Sequence, residues 1–318
     1  MKKKIFTFML PCFLFISFIF MFIYSKDVSN TVTFSISLWK DNLLPSLFPF
    51  LLITQLLTEY GFIEIISFFL GKYMSVFFNL PKESSYALIV SLFSGFPSGS
   101  KYVKDLLEHN LLTEKEANHL IMFTHYSNPV FITSTIGVFL LQNQKYGYII
   151  LFSHIISNML VALMFKEKSK KLYKSQKFNV ILKDIHNKKH KNFISILTNS
   201  ILESFKLLVN MLGIITFFLI ITTLINNILH LNVFFKVLIS SFFEMTQGVK
   251  SVSQLALPIN IKSAIIGAII SFSGLSVHFQ VKSIIDGTTI KYKNFLLARI
   301  VQSILCFFII LFICSLII

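Results

Sequence analysis

The stretch "SLFSGFPSGSK" places Ser94, Gly95, Phe96, Pro97, Ser98, Gly99 and Ser100 inside an otherwise apolar run. Pro97 has no amide donor and disfavours helix at Phe96, while Gly95 and Gly99 let the backbone turn or approach a ligand closely. In hydrocarbon an unpaired backbone amide is costly, so non-helical backbone at membrane depth survives only against protein or a water-lined cavity. The break therefore argues for a cavity. Amides freed at the start of the following half-helix, with the hydroxyls of Ser94, Ser98 and Ser100, are donors suited to an anion.

Other polar islands extend this chemistry. "SFSGLSVHFQ" carries Ser273, Gly274, Ser276 and His278, and "THYSNPVF" breaks a further apolar run at Asn128 and Pro129. "FEMTQGVKS" places Glu244, Thr246, Gln247 and Gly248 within a third. An ionisable residue in such a run is a functional-site hypothesis by default, set against a hairpin tip exposed to water for Glu244. His125 and His278 either touch substrate or a proton path, or only hydrogen-bond a neighbouring helix. Lys101 and Lys250 are counter-charges for an anion or snorkel to the interface. Two interrupted helices at matching positions point to the central site of a carrier. Ser94 or Ser98 with His125 would be the nucleophile and base of an intramembrane enzyme, but no oxyanion arrangement can be assigned, and no catalytic residue is named. Cys12, Cys306 and Cys314 lack ligand spacing, so neither a disulfide framework nor a metal site is indicated, and no cofactor is expected. No nucleotide-binding loop of the GxxxxGKS type is present.

The elements that must hold these residues follow from composition. With 318 residues, 54% hydrophobic content, 37 phenylalanines and 14% charged residues, the chain cannot coat a soluble globule with polar surface. It reads as an all-α polytopic membrane protein of about 8–10 transmembrane or re-entrant segments. Spans are expected near Ile5–Tyr24, Phe34–Leu57, Tyr86–Val103, Leu120–Leu141, Tyr146–Phe165, Phe205–Leu229, Ile261–Val281 and Phe295–Ile318. Phe62–Leu80 and Val233–Leu257 are spans or re-entrant hairpins. The first apolar run is too long for a signal sequence and no small-x-small site follows it, so it reads as a retained span. The net charge of +15 collects in Lys166–Lys191 and at span ends, which argues against nucleic acid and for cytoplasmic contact with anionic lipid headgroups.

The basic segment divides the chain into halves that read alike. Leu80-Pro81, Ala87, Ser94-Gly95 and Glu108 correspond to Leu257-Pro258, Ala264, Ser273-Gly274 and Asp286 at an offset of about 178 residues. The domains expected are an N-terminal span and loop (1–33), a first repeat (34–145), a connecting span and basic loop (146–204) and a second repeat (205–318). Inversion of the two repeats is favoured if both ambiguous segments cross.

The set "SGFPSGSK", "SNPVFITSTIG", "EMTQG" and "SFSGLSVHFQV" resembles the YlbJ (SpoVV) family of sporulation integral membrane proteins, from about Asn42 to the C-terminus. That family carries the nucleoside-recognition or Gate domain and is related to concentrative nucleoside transporters. The resemblance implies a role in endospore formation, moving dipicolinic acid across the outer forespore membrane, with the residues of the two breaks and the Glu-Met-Thr-Gln-Gly segment as the site. A small planar dianion would use amide donors, positive dipole ends and an aromatic face such as Phe96. The chain is compact beside that family, so accessory domains are not expected, and no sodium site can be pointed to. Carriage of a nucleoside or other small solute, and a structural or recruiting role in the spore envelope, stay open. Homo-oligomerisation is also left open.

Overall fold

The computed structural model describes residues 2–166, 192–229 and 231–317. The basic segment, apart from Lys166, lies outside the described residues, and with it the lipid contact and sidedness expected of it. Among the described residues every regular element is helical. Helix α1 (Lys2–Ile23) turns through about 100° into α2 (Ser25–Leu38). A π-helical turn, Trp39–Leu43, carries α2 into α3 (Leu44–Glu59), and α4 (Phe62–Phe78) follows. The expected Phe34–Leu57 span is thus one continuous helical run.

Three units then follow and recur. First come the paired helices α5 (Ser84–Ser94) and α6 (Ser98–Glu108). Next is an interrupted helix: α7 (Glu114–Leu120), an irregular stretch through Asn128, and a π-helical segment, Phe131–Leu140. Long helix α8 (Gln144–Met164) closes the unit. After the 37-residue α9 (Phe193–Leu229), the order repeats. The pair is now α10 (Val233–Phe243) with α11 (Met245–Ser253), the interrupted helix is α12 (Ile259–Phe272) with α13 (Gly274–Ile285), and the long helix is α14 (Tyr292–Ile317).

The first pair is a hairpin, because the Cβ of a residue at Gly99 would lie 3.0 Å from that of Ser91, across the turn. The second is a hairpin folded at Glu244, since Gly248 backs directly onto Ser241. Seven residues on a straight helix would span about 10 Å. Two expectations change accordingly. Tyr86–Val103 does not run as one span: the chain reverses at Gly95. Leu120–Leu141 is likewise interrupted, over residues 121–128. Of the two ambiguous segments, Val233–Leu257 is a helical hairpin.

The repeat register also changes. The Ser94-Gly95 break reverses the chain, whereas Ser273-Gly274 interrupts a helix that runs on as a candidate span, Ile259–Ile285. The two Ser-Gly breaks are therefore not equivalents. The counterpart of the first hairpin is the second, where Ser91, Phe93, Gly99, Lys101 and Val103 match Ser240, Phe242, Gly248, Lys250 and Val252 at an offset of about 150 residues. The offset of about 178 arose because Ser-Gly reads the same in a reversal and in a kink.

Helices α8 and α14 are built inside out relative to a soluble protein. On α8, Phe152, Ile156 and Leu160 face outward at helical spacing, while Ser153, His154, Ser157 and Asn158 are buried. On α14, Ile304, Phe308 and Phe312 are exposed and Arg299 and Gln302 are not. Lipid is the surrounding that accepts such a surface. Gln144–Met164, Phe193–Leu229, Ile259–Ile285 and Tyr292–Leu316 are each long and apolar enough to cross a membrane, with the bent α1–α2 pair as a fifth candidate.

The two halves share their cores. One cluster joins Tyr86, Val103, Leu106 and Phe123 to Val277, Val281 and Phe295. The other joins Ile132, Ile136 and Ile150 to Val249, Val252, Ile266, Cys306 and Ile310. Cys306 and Cys314 are small buried fillers there, and Cys12 is half-buried on α1. A Thr113–Glu116 capping box starts α7, and Asn118 accepts from the Lys291 amide at 2.7 Å, tying α7 to the start of α14.

Replacing Ser241 and Gly248 by cysteine in a background lacking the three native cysteines tests the second hairpin. Mild oxidation is expected to form an intramolecular disulfide that blocks labelling by a thiol-reactive polymer. Full labelling after oxidation would mean a straight helix.

Candidate functional site

Each hairpin tip is seated on an interrupted helix. Gly95 has φ +76°, and a methyl group there would stand 2.9 Å from the Asn128 amide nitrogen. The Phe96 amide donates to the Tyr126 carbonyl at 2.6 Å, and the Phe96–Pro97 peptide is cis. Asn128 accepts from the amides of Val130 (2.8 Å) and Phe131 (3.3 Å), so it caps the helix that resumes at Pro129. Its amide group also donates to the Phe93 carbonyl at the end of α5. In the second half, a methyl at Gly274 would lie 3.1 Å from the Met245 amide nitrogen at the tip of the other hairpin.

The two interrupted helices meet at His125 and Ser273. His125 Nε2 lies 2.8 Å from Ser273 Oγ. Ser273 Oγ donates to the Ile270 carbonyl at 2.8 Å, so the hydroxyl accepts from the imidazole and Nε2 carries the hydrogen. Phe96 stacks on the His125 ring at 4.8 Å between centroids, and Phe295 meets its edge at 4.9 Å. The first hairpin, both helix breaks and α14 are thereby joined through one ring.

Two further histidines serve the same breaks. His154 on α8 accepts the Ser127 amide at Nε2 (3.2 Å) and reaches Ser271 Oγ with Nδ1 (2.9 Å). His278 donates from Nε2 to the Phe272 carbonyl (2.9 Å) and accepts at Nδ1 from Tyr292 (2.9 Å). Both sets of partners fit a neutral ring. Carbonyls released beyond α7 are met by Asn158, which donates to Phe123 at 2.8 Å and His125 at 3.1 Å. Arg299 donates to the carbonyls of Met122 and His125.

Among the residues expected to bind substrate, the hydroxyls of Ser94, Ser98 and Ser100 turn onto their own hairpin: Ser94 bonds Val90 and Ser98, Ser98 bonds the Gly95 carbonyl, and Ser100 bonds Pro97. Glu244 is not a water-exposed tip; at 1% exposure it caps α11, accepting from the Gln247 amide (2.9 Å) and from Thr246 Oγ1. Thr246 and Gln247 are half-buried, and Gln247 Oε1 has no hydrogen-bond partner among the described residues. Ser276 Oγ and both amide atoms of Gln280, buried on one face of α13, also lack partners there. Lys250 points away, over the Phe34 ring of α2, and Lys101 is half-buried near Asp105. His154, Asn158, Arg299, Gln302 and Gln280 were not singled out from the sequence. A lone arginine within 26 helical residues that are otherwise mostly apolar was the available signal.

Residues 42–145 match the Gate, nucleoside recognition, family. Over 309 residues the chain is 28% identical to the sporulation integral membrane protein YlbJ of Bacillus subtilis (strain 168), covering 88% of this chain and 75% of that protein. The chain is similar to YlbJ over most of its length and to the Gate family over residues 42–145. With its apolar helices and integral-membrane relative, it is a multi-pass membrane protein. No solved structure matches the chain. The Gate match contains the first hairpin, the first interrupted helix and His125, and the structure builds the same order of units again after it.

Substituting His125 or Ser273 by alanine is expected to lower thermal stability through the same bond. The double variant should therefore fall short of the additive loss by about 1 kcal/mol. Strict additivity in unfolding measurements would show that the two halves are not coupled here.

Proposed function

We propose that this chain is a secondary carrier of the sporulating cell that moves a small dicarboxylate, dipicolinate, across the outer forespore membrane. Its site is the junction of the two interrupted helices. The observation that carries the reading is that both hairpin tips and both breaks converge on one buried polar junction through Gly95–Asn128, His125–Ser273 and Gly274–Met245. The relative's name supports the setting, and the chemistry of the junction supports the substrate class. A planar ring would stack where Phe96 lies against His125, and its carboxylates would take donors from the Gln280 amide and Ser276 hydroxyl, which no protein group engages among the described residues.

An enzyme is disfavoured on the same geometry. The Ser273 hydroxyl hydrogen goes to the Ile270 carbonyl and the histidine is the donor, the reverse of a general base activating a nucleophile. Ser94 and Ser98 bond each other and local carbonyls.

The test is uptake of radiolabelled dipicolinate into proteoliposomes holding this protein alone, with a nucleoside as the competing substrate and empty vesicles as baseline. Saturable dipicolinate uptake is expected. Saturable nucleoside uptake without it would replace the substrate class, and neither, with folded protein shown in the vesicles, would favour a structural role. Glu244→Gln is expected to reduce uptake about tenfold, the scale of one charge-assisted hydrogen bond. Lys166→Gln, whose ammonium meets the Val76 carbonyl, should leave uptake near wild type. Equal uptake by the two variants would remove Glu244 from the working junction.

A further inference from the structure

Arg299 is the only arginine in a chain whose other 28 basic residues are all lysine, and it is fully buried. Among the described residues no carboxylate pairs with it. Its guanidinium is instead held by four oxygens: the Met122 and His125 carbonyls, Asn158 Oδ1 at 3.0 Å and Gln302 Oε1. The two carbonyls belong to the stretch where α7 stops, the negative end of a half-helix. Gln302 is in turn fixed by donating to the His154 carbonyl at 3.0 Å, and Asn158 by donating to Phe123 and His125. The oxygens are therefore oriented by their own partners and converge on a positive charge.

Backbone carbonyls and side-chain amide oxygens gathered at the carbonyl end of an interrupted helix are the donor set of a cation site. We infer that the first interrupted helix contains such a site and that the chain fills it with its own tethered cation, the Arg299 guanidinium. A planar fork with several N–H donors satisfies divergent carbonyls in a way a point-charge ammonium does not. The working cycle then needs no free sodium or potassium ion at this position, and the helix break stays closed by a charge that cannot dissociate. Arg299 is a positioning residue: it holds the 122–125 backbone, and through it the His125 ring that bonds Ser273.

The test uses the full chain, purified and reconstituted. Wild-type thermal stability and dipicolinate uptake are expected to be the same in sodium, potassium and choline media. Arg299→Ala is expected to lose most uptake and melt lower, and methylguanidinium at sub-denaturing concentration is expected to raise both, while leaving wild type unchanged. Arg299→Lys should retain part of the stability. Wild-type stability that depends on sodium, or an Arg299→Ala protein that folds but responds neither to methylguanidinium nor to a metal cation, would overturn the inference. If Arg299→Ala does not fold, Arg299→Lys serves: a second tethered cation keeps the site filled, so the variant should melt below wild type and stay insensitive to sodium. Sodium-dependent stability of that variant would contradict a filled site. The uptake arm rests on the carrier reading and the melting arm does not. Absent wild-type uptake with the expected melting behaviour would therefore fault the carrier reading alone.

Discussion

Everything in this fold depends on pairing the backbone groups that its helix breaks release. In a dry interior an orphaned amide or carbonyl is expensive, and this chain creates them at Gly95–Pro97, at 121–128, at Glu244 and at Ser273. The pairing is done partly by the breaks on each other, as where the Phe96 amide meets Tyr126. Much of the rest is done by side chains that α8 and α14 turn inward: His154, Asn158 and Arg299. Two helices that keep their apolar stripes outward and their polar residues inward are what such a junction requires of its walls.

That arrangement suits the carrier proposed above. A junction whose members are each held by a partner from another element cannot move piecemeal. Displacing one hairpin tip disturbs Asn128 or Gly274 and, through His125 and Ser273, the opposite break. Coupled displacement of packed units around a fixed central site is the motion expected of carriers built from repeats. Glu244 illustrates the economy of the design, because one buried carboxylate both turns the second hairpin and caps its returning helix.

Much of this was legible as composition. Glycine, proline and serine inside apolar runs marked every break, and Glu244 stood out as a charge in hydrocarbon. Whether a break reverses the chain or merely kinks it was not legible, since Ser94-Gly95 and Ser273-Gly274 present the same dipeptide to opposite geometric ends. Hydroxyl roles were also beyond reach: Ser94, Ser98 and Ser100 sit within reach of their own helix carbonyls and take those, a local competition no spacing rule resolves. His154 with Asn158, and Arg299 with Gln302, were hidden because their helices read as plain spans. Their i, i+4 and i, i+3 spacing on one face becomes visible only when that face is known to point inward.

The most direct test of a central, alternately opened junction is the reactivity of Ser276→Cys in the membrane. Ser276 is buried, its hydroxyl has no partner among the described residues, and it lies three residues beyond the Ser273 break. A small water-soluble thiol reagent should modify this cysteine slowly in vesicles, and saturating dipicolinate should protect it. A folded variant that is never modified, with or without dipicolinate, would contradict a junction that opens to water.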